Sequence, residues 1–390
     1  MTSSTTTGCL TKGLEEEVYT GTPDGDIVGM SHRVKDAMPN FHTEPDCRNS
    51  EFATAPHRDY EDLLQEFMGF RMRLRQHIKT HGDYTLVPGG SLSLGDTSEF
   101  HITDPNNDYY RYIRDAYGTD VVTASTHISV GVEDAEEIVR LYRVLRCDAA
   151  LYLAVTAASP WLDGKATGFH SSRWHMFPKT PAPVPFFGDH GEYAGWVSAK
   201  LGSGEMQNTR HLWLAVRPNG PEPPHLLNRV ELRICDRISY PNTLFGVAAL
   251  LEARILYLLD HPEADPLVRR GTTSAELVER TAVNEDAVSR ASLDALVWRW
   301  TDGRRVAVRE WISEMLEEVR PYAMGGGFDG FLGGIERILE KGSIACRWLE
   351  REGRGESPRE ILRDAIRHAE LCDEACSRSP CECFSEMEDA

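Results

Sequence analysis

No run of apolar residues approaches the roughly 20 that a bilayer-spanning helix needs, and the opening stretch MTSSTTTGCLTKG has no apolar h-region of a secretory signal. A membrane partner is therefore not expected. No block of lysine and arginine stands against the formal net charge of -19, which argues against a nucleic-acid partner needing a concentrated basic face. The pattern G-x-x-x-x-G-K-[ST] is missing, so any nucleotide phosphate would have to be held without a P-loop. GGSLSLG fails the G-x-S-x-G spacing of a nucleophile elbow. The nine cysteines are scattered at Cys9, Cys47, Cys147, Cys235 and Cys346, then crowd at Cys372, Cys376, Cys381 and Cys383. The C-x3-C-x4-C-x-C spacing of the crowd fits no common zinc site. Scattered cysteines without an export signal point to a reducing cytoplasm.

What is present is a chain of 390 residues, 41% of them hydrophobic, enough for a large core. Residues 1–11 read as a flexible tail. Strand patterns fall at Gly13–Thr20 and Glu51–Thr54, and Asp59 to His81 reads as a helix, with Tyr60, Leu63, Leu64, Phe67, Leu74 and Ile78 at three- and four-residue spacing. DYTLVPGGSLSLGD predicts a strand, a Pro-Gly turn and a second short strand. VVTASTHISVGV alternates as a strand, and Asp134 with Glu137 starts the next helix. Asp163 to Asn228 is rich in Gly, Pro, His and aromatics without clear periodicity, the composition of a functional loop region. NRVELRICD returns to strand, with Val230, Leu232 and Ile234 on one face and Glu231, Arg233 and Cys235 on the other.

The remainder is mostly helical. TLFGVAALLEARILYLLD is apolar nearly all round and is expected to be buried. Thr273 with Glu276, and Ser357 with Glu360, mark helix starts. GGGFDG matches G-x-G-x-x-G but follows a helix instead of a strand, so it is set aside as a loop. Residues 371–390 read as an acidic, cysteine-rich tail, and deletion after Glu370 is expected to leave the protein's activity intact. Strands in front and helices behind predict an α+β fold.

KGLEEEVYT places three glutamates inside a strand. Alternation puts Glu15 and Glu17 on one face and Glu16 on the other, with Leu14 and Val18. Glu15 and Glu17 are rooted about 6.8 Å apart, a span that brackets a hard cation. Without a cation, two like charges on an inward face raise each other's pKa. Glu44 and Glu51 flank PDCRNS, His127 sits among apolar strand residues, and Glu231 shares a face with Arg233. Oxygen ligands with one imidazole suit Mg²⁺ or Mn²⁺, and Arg173, Arg217 and Arg233 can hold carboxylate or phosphate. The residues describe a metal-dependent enzyme acting on a polyphosphate. Glu16 lacks a visible partner, and an arginine from a covering helix would supply one.

KGLEEEVYTGTPDGDIVG, EPDCRNSEFATAPHRDY, GDYTLVPGGSLSLGD, DPNNDYYRYI, VVTASTHISVGV, SPWLDGKATGFHSSRWHMFPKTP, MQNTRHLWLAVRPNG and LNRVELRICD together resemble the cyanobacterial-type glutamate–cysteine ligases, in that family's order, over roughly Lys12 to Trp311. The resemblance implies a glutamine-synthetase-like fold, a curved antiparallel sheet with helices on its convex side, and makes residues 12–370 one catalytic ligase domain. It implies ATP-dependent joining of the glutamate γ-carboxylate to the cysteine amine, the first step of glutathione synthesis, with Mg²⁺ or Mn²⁺. Metal positions would be Glu15, Glu17, Glu44, Glu51, His127 and Glu231. Glu17 and Arg233 would serve catalysis, and Arg173, with Arg217, would bind substrate. Two other readings stay open: a γ-glutamyl ligase with a different amine acceptor, and a non-catalytic redox- or metal-responsive protein on the same scaffold. Oligomeric state is not legible.

Overall fold

Strands between Lys12 and Leu232, several of them alternating apolar and charged residues, build a seven-stranded antiparallel sheet. The computed structural model describes residues 9–38, 40–268 and 272–378. The first eight residues of the expected tail, with Cys381 and Cys383, lie outside that range. The strands are β1 (Lys12–Gly21), β2 (Phe41–Thr43), β3 (Asn49–Ala53), β4 (Thr85–Val87), β5 (Thr126–Gly131), β6 (Val216–Asn219) and β7 (Arg229–Leu232). Their order is β2-β3-β1-β5-β7-β6, with β4 also pairing β1. SLSLGD forms turns instead of the expected second strand after β4.

One face of the sheet is apolar. Leu14, Val18, Phe52, Ile128, Val130, Val230 and Leu232 are all essentially inaccessible, and each such side chain contributes about 1.5–3 kcal/mol over leaving it exposed. Helix α1 (Tyr60–Lys79) covers the β1–β3 side of this face. Asp59 caps it, accepting from the backbone N–H groups of Glu61 and Asp62; Phe70 stacks on Phe52, and Phe67 packs on it at a tilt. Helix α2 (Asp108–Tyr117) is capped by Asn107. Helix α3 (Ala135–Thr156) begins at Asp134, which accepts from the Glu137 N–H. Helix α4 (Pro241–Asp260) is buried over almost its whole length. It is long and apolar enough to cross a membrane by length and composition, against the expectation that no run approaches that length, yet it is buried as expected. Here its core position follows from paired charges: Glu252 meets Lys12 at 2.8 Å and Arg254 meets Asp148 at 3.0 Å.

Three further expectations meet a different outcome. Asp163 to Asn228 is not one loop region, since it holds a helix at His190–Gly202 and the strand β6. Residues 9–11 are tied down: the Leu10 N–H donates to Glu252, and the Gly131 N–H donates to the Thr11 carbonyl. The acidic tail starts later than residue 371, because helix α6 (Pro358–Arg378) runs through it with Cys372, Asp373 and Cys376 buried. Cys376 is disulfide-bonded. Ser357 and Glu360 bond reciprocally at the start of α6, and Thr273 and Glu276 form the expected capping box. GGGFDG ends helix α5 (Val308–Gly326), with Gly327 in the left-handed conformation at φ 73 that a side chain disfavours.

Candidate active site

Directly opposed residues in an antiparallel sheet share a face. The register therefore assembles the site. Glu15 lies opposite His127 and Glu17 opposite Glu51. Ser129 lies opposite Glu231, which lies opposite Arg217. Glu44, just past β2, reaches the same face. These side chains line one cavity of about 690 Å³ together with Arg173, Arg210, Arg233, Tyr109, Tyr110 and Trp213. That volume lies within the usual range of small-molecule sites.

The carboxylates gather into two overlapping groups. Ligand atoms of Glu15, Glu17 and His127 lie within 4.8 Å of one another, as do those of Glu17, Glu44 and Glu51. Glu17 belongs to both. The electrostatics mark the second group as under-compensated. Burial, then the Glu17 charge, pushes the Glu44 carboxyl up to about 7. Burial and the charges of Glu15 and Glu44 push Glu51 well above the usual carboxylate range. For Glu15, burial is outweighed by His127, whose Nδ1 lies 2.6 Å from Oε1, and its pKa is lowered. Carboxylates forced together with one imidazole are the donor set of a hard divalent cation, which would relieve the repulsion. The residues present fit Mg²⁺ or Mn²⁺.

Glu231 stands apart from these groups. Arg217 Nε and Asn219 Nδ2 each donate to its Oε2 at 2.9 Å, and Arg233 Nη1 donates to Oε1 at 2.9 Å. Burial alone would raise its pKa, yet Arg217 and Arg233 hold it well below the usual carboxylate range. Its carboxylate is thus engaged by cations of the protein, and it is not among the ligand atoms of the two groups above. Arg217 is engaged in the same pair. Arg173, expected to bind substrate, is 2% exposed and donates to the Ile234 and Arg233 carbonyls at 2.9 and 3.1 Å. It braces the chain that carries Arg233. The Glu231–Arg233 pair was legible from their shared strand face, whereas the engagements of Arg217 and Arg173 join separate elements and are not visible in sequence.

Ser125 and Arg210 are among the cavity residues that the sequence reading did not single out. Ser125 lies two positions before His127 in VVTASTHISVGV, and alternation alone would have put it on the same face. Arg210 lies inside MQNTRHLWLAVRPNG. Its guanidinium makes no side-chain hydrogen bond or ion pair among the described residues, and the fields of Glu51, Glu44 and Glu15 raise its pKa against the effect of burial.

An antiparallel sheet with helices packed on its apolar face is a fold shared with solved ligases. The fold matches the glutamate–cysteine ligase of Francisella tularensis, solved in complex with AMP, at TM-score 0.73 over 98% of this chain and 96% of that one, with 11% identity. It also matches a bifunctional glutathione synthetase of Pasteurella multocida at TM-score 0.72 and 15% identity, covering 94% of this chain and 53% of that one. The model of glutamate–cysteine ligase family 2 matches residues 11–372, and the chain belongs to that family. Among curated relatives, a provisionally named glutamate–cysteine ligase 2 of Sorangium cellulosum is 28% identical over 330 residues, 82% of this chain and 84% of its own length. A provisionally named glutamate–cysteine ligase 2-1 of Rubrobacter xylanophilus is 27% identical over 347 residues, 86% of this chain and 84% of its own.

Proposed function

We propose that the protein uses ATP to join the γ-carboxylate of glutamate to the amine of cysteine, through a γ-glutamyl phosphate, as the first step of glutathione synthesis. The observation that carries this reading is the pair of carboxylate groups sharing Glu17 beside Arg233 in one cavity, in a chain of this family. The AMP-bound Francisella relative supports a nucleotide in the corresponding fold.

A carboxylate is a poor electrophile, and transfer of a phosphoryl group to its oxygen turns it into an acyl phosphate with a good leaving group. Glu15, Glu17 and His127, and Glu17, Glu44 and Glu51, would hold Mg²⁺ or Mn²⁺, which when bound would supply charge neutralisation for phosphoryl transfer. Arg233 stabilises negative charge on the transferring phosphoryl group. Glu231 and Asn219 belong to the network that holds Arg217 and Arg233 in place, and Arg173 fixes the backbone beneath Arg233. Walls of Tyr109, Tyr110 and Trp213 shield the acyl phosphate from water. The amine then attacks the carbonyl carbon, the C–N bond forms and phosphate leaves.

The test is ADP release with glutamate, Mg-ATP and a panel of amines. Turnover stimulated most by cysteine is the expected result. Preference for another amine would make the protein a related γ-glutamyl ligase, and no turnover with any amine would overturn the reading.

A further inference from the structure

We infer that Ser125 is a positioning residue that locks Glu17 and His127 together, so that the two cation-binding groups of the cavity are built as one unit. The inference rests on the metal reading of the site proposed above.

Ser125 is bonded to Glu17 three times. The Glu17 N–H donates to the Ser125 carbonyl at 2.9 Å. The Ser125 N–H donates to Glu17 Oε2 at 2.9 Å, and the Ser125 hydroxyl lies 2.7 Å from the same oxygen. That hydroxyl is also 2.9 Å from His127 Nε2. Ser125 is 1% exposed, so water does not compete for these bonds. Both donors fall on one oxygen of Glu17, which fixes the carboxylate's rotation and leaves Oε1 for the cavity.

The Ser125 hydroxyl thus stands between a carboxylate oxygen of Glu17 and Nε2 of His127, while the other ring nitrogen, Nδ1, meets Glu15 Oε1 at 2.6 Å. The second ring nitrogen of a metal-binding histidine commonly finds such a partner, which fixes ring orientation and tautomer. Here that partner also holds a second ligand, and that ligand is the one shared by both groups.

The experiment is Mn²⁺ binding by calorimetry to the full chain without ATP or amino acids, comparing wild type with S125A, S125T and S125V. Loss of the hydroxyl is expected to weaken Mn²⁺ binding roughly 10–100-fold, in S125A and S125V alike, while S125T stays near wild type. In turnover, the Mg²⁺ concentration for half-maximal rate should rise in S125A and S125V more than kcat falls. Threonine and valine differ here by one hydroxyl at nearly equal volume, so they decide the matter even if S125A fails to fold. Wild-type affinity in folded S125V, equal weakening in S125T and S125V, or no Mn²⁺ binding by wild type would each overturn the inference. The ADP assay reads the ligase reaction separately, so failure of one reading is told from failure of the other.

Discussion

Arg71 meets Glu16 at two points, Nε to Oε2 at 2.8 Å and Nη2 to Oε1 at 2.5 Å, with both side chains wholly buried. Arg237 adds a third bond to Oε1 at 3.0 Å. Arg71 comes from α1, the helix covering the apolar face, and so supplies the partner that the sequence asked for. The remaining Arg71 donors go to the Ser239 and Ile238 carbonyls and to Asp373 of α6. The odd glutamate of KGLEEEVYT is the anchor that fastens β1, and with it Glu15 and Glu17, to the helical layer.

Glu16→Gln should lower stability at pH 7 by about 3 kcal/mol, because it leaves buried guanidinium groups under-compensated. Burial raises the Glu16 pKa, but Arg71 and Arg237 outweigh it and the net shift is downward. A lowered carboxylate pKa stabilises the fold fully above the unfolded value, about 4.3, and the contribution disappears as pH falls through the lower folded value. The wild-type advantage should therefore hold at pH 7 and shrink below about pH 4. Denaturant unfolding of both proteins at the two pH values checks this.

Glu17→Ala should abolish phosphate release with glutamate, cysteine and Mg-ATP, since Glu17 belongs to both carboxylate groups. Near-normal turnover in a folded Glu17→Ala protein would remove Glu17 from the chemistry.

The metal-free protein should lose stability as pH rises from about 4.5 to 7. Glu44, raised to about 7, keeps its proton in the folded state over that window while the unfolded chain releases it. The folded state binds more protons there, so rising pH favours unfolding. Glu44→Gln should flatten the slope, and saturating Mg²⁺ should oppose it by binding the folded state. Thermal melts with and without chelator measure both.

Deletion after Glu370, expected from sequence to leave activity intact, should destabilise the protein. It removes Asp373, which bonds Arg75 at 2.5 Å and Arg71 at 3.2 Å, and the buried Cys372 and Cys376. Losing one partner of a buried charge pair typically costs about 3–5 kcal/mol. Asp373→Asn should show a smaller loss in the same melts, and an unchanged melting temperature in the truncated chain would contradict the role given to α6.

The sequence made β1, β5 and α1 legible because their periodicity is local, and the alternation of Glu15, Glu16 and Glu17 carried directly into the sheet. The boundary of α6 was missed for a chemical reason. Ile361, Leu362, Ala365, Ile366, Ala369, Cys372 and Cys376 continue one helical stripe, but the cysteines were weighed for reactivity instead of as small apolar residues. The roles of Arg173 and Arg217 were beyond reach, since a free guanidinium and one bound to a distant carbonyl or carboxylate look alike in sequence. Ser125 was legible in principle, two residues from His127 on an alternating strand.

The pairing of β1 with β3 and β5 works like a reading frame. Side chains alternate with a period of two, so sliding β1 by one residue would keep every amino acid and exchange inside for outside. Glu16 would face the cavity alone, while Glu15 and Glu17 would be pressed against Phe67 and Arg71. A one-residue insertion or deletion within Lys12–Gly21 is thus a more complete lesion than replacing any single glutamate, because it swaps the anchor and the ligands at once.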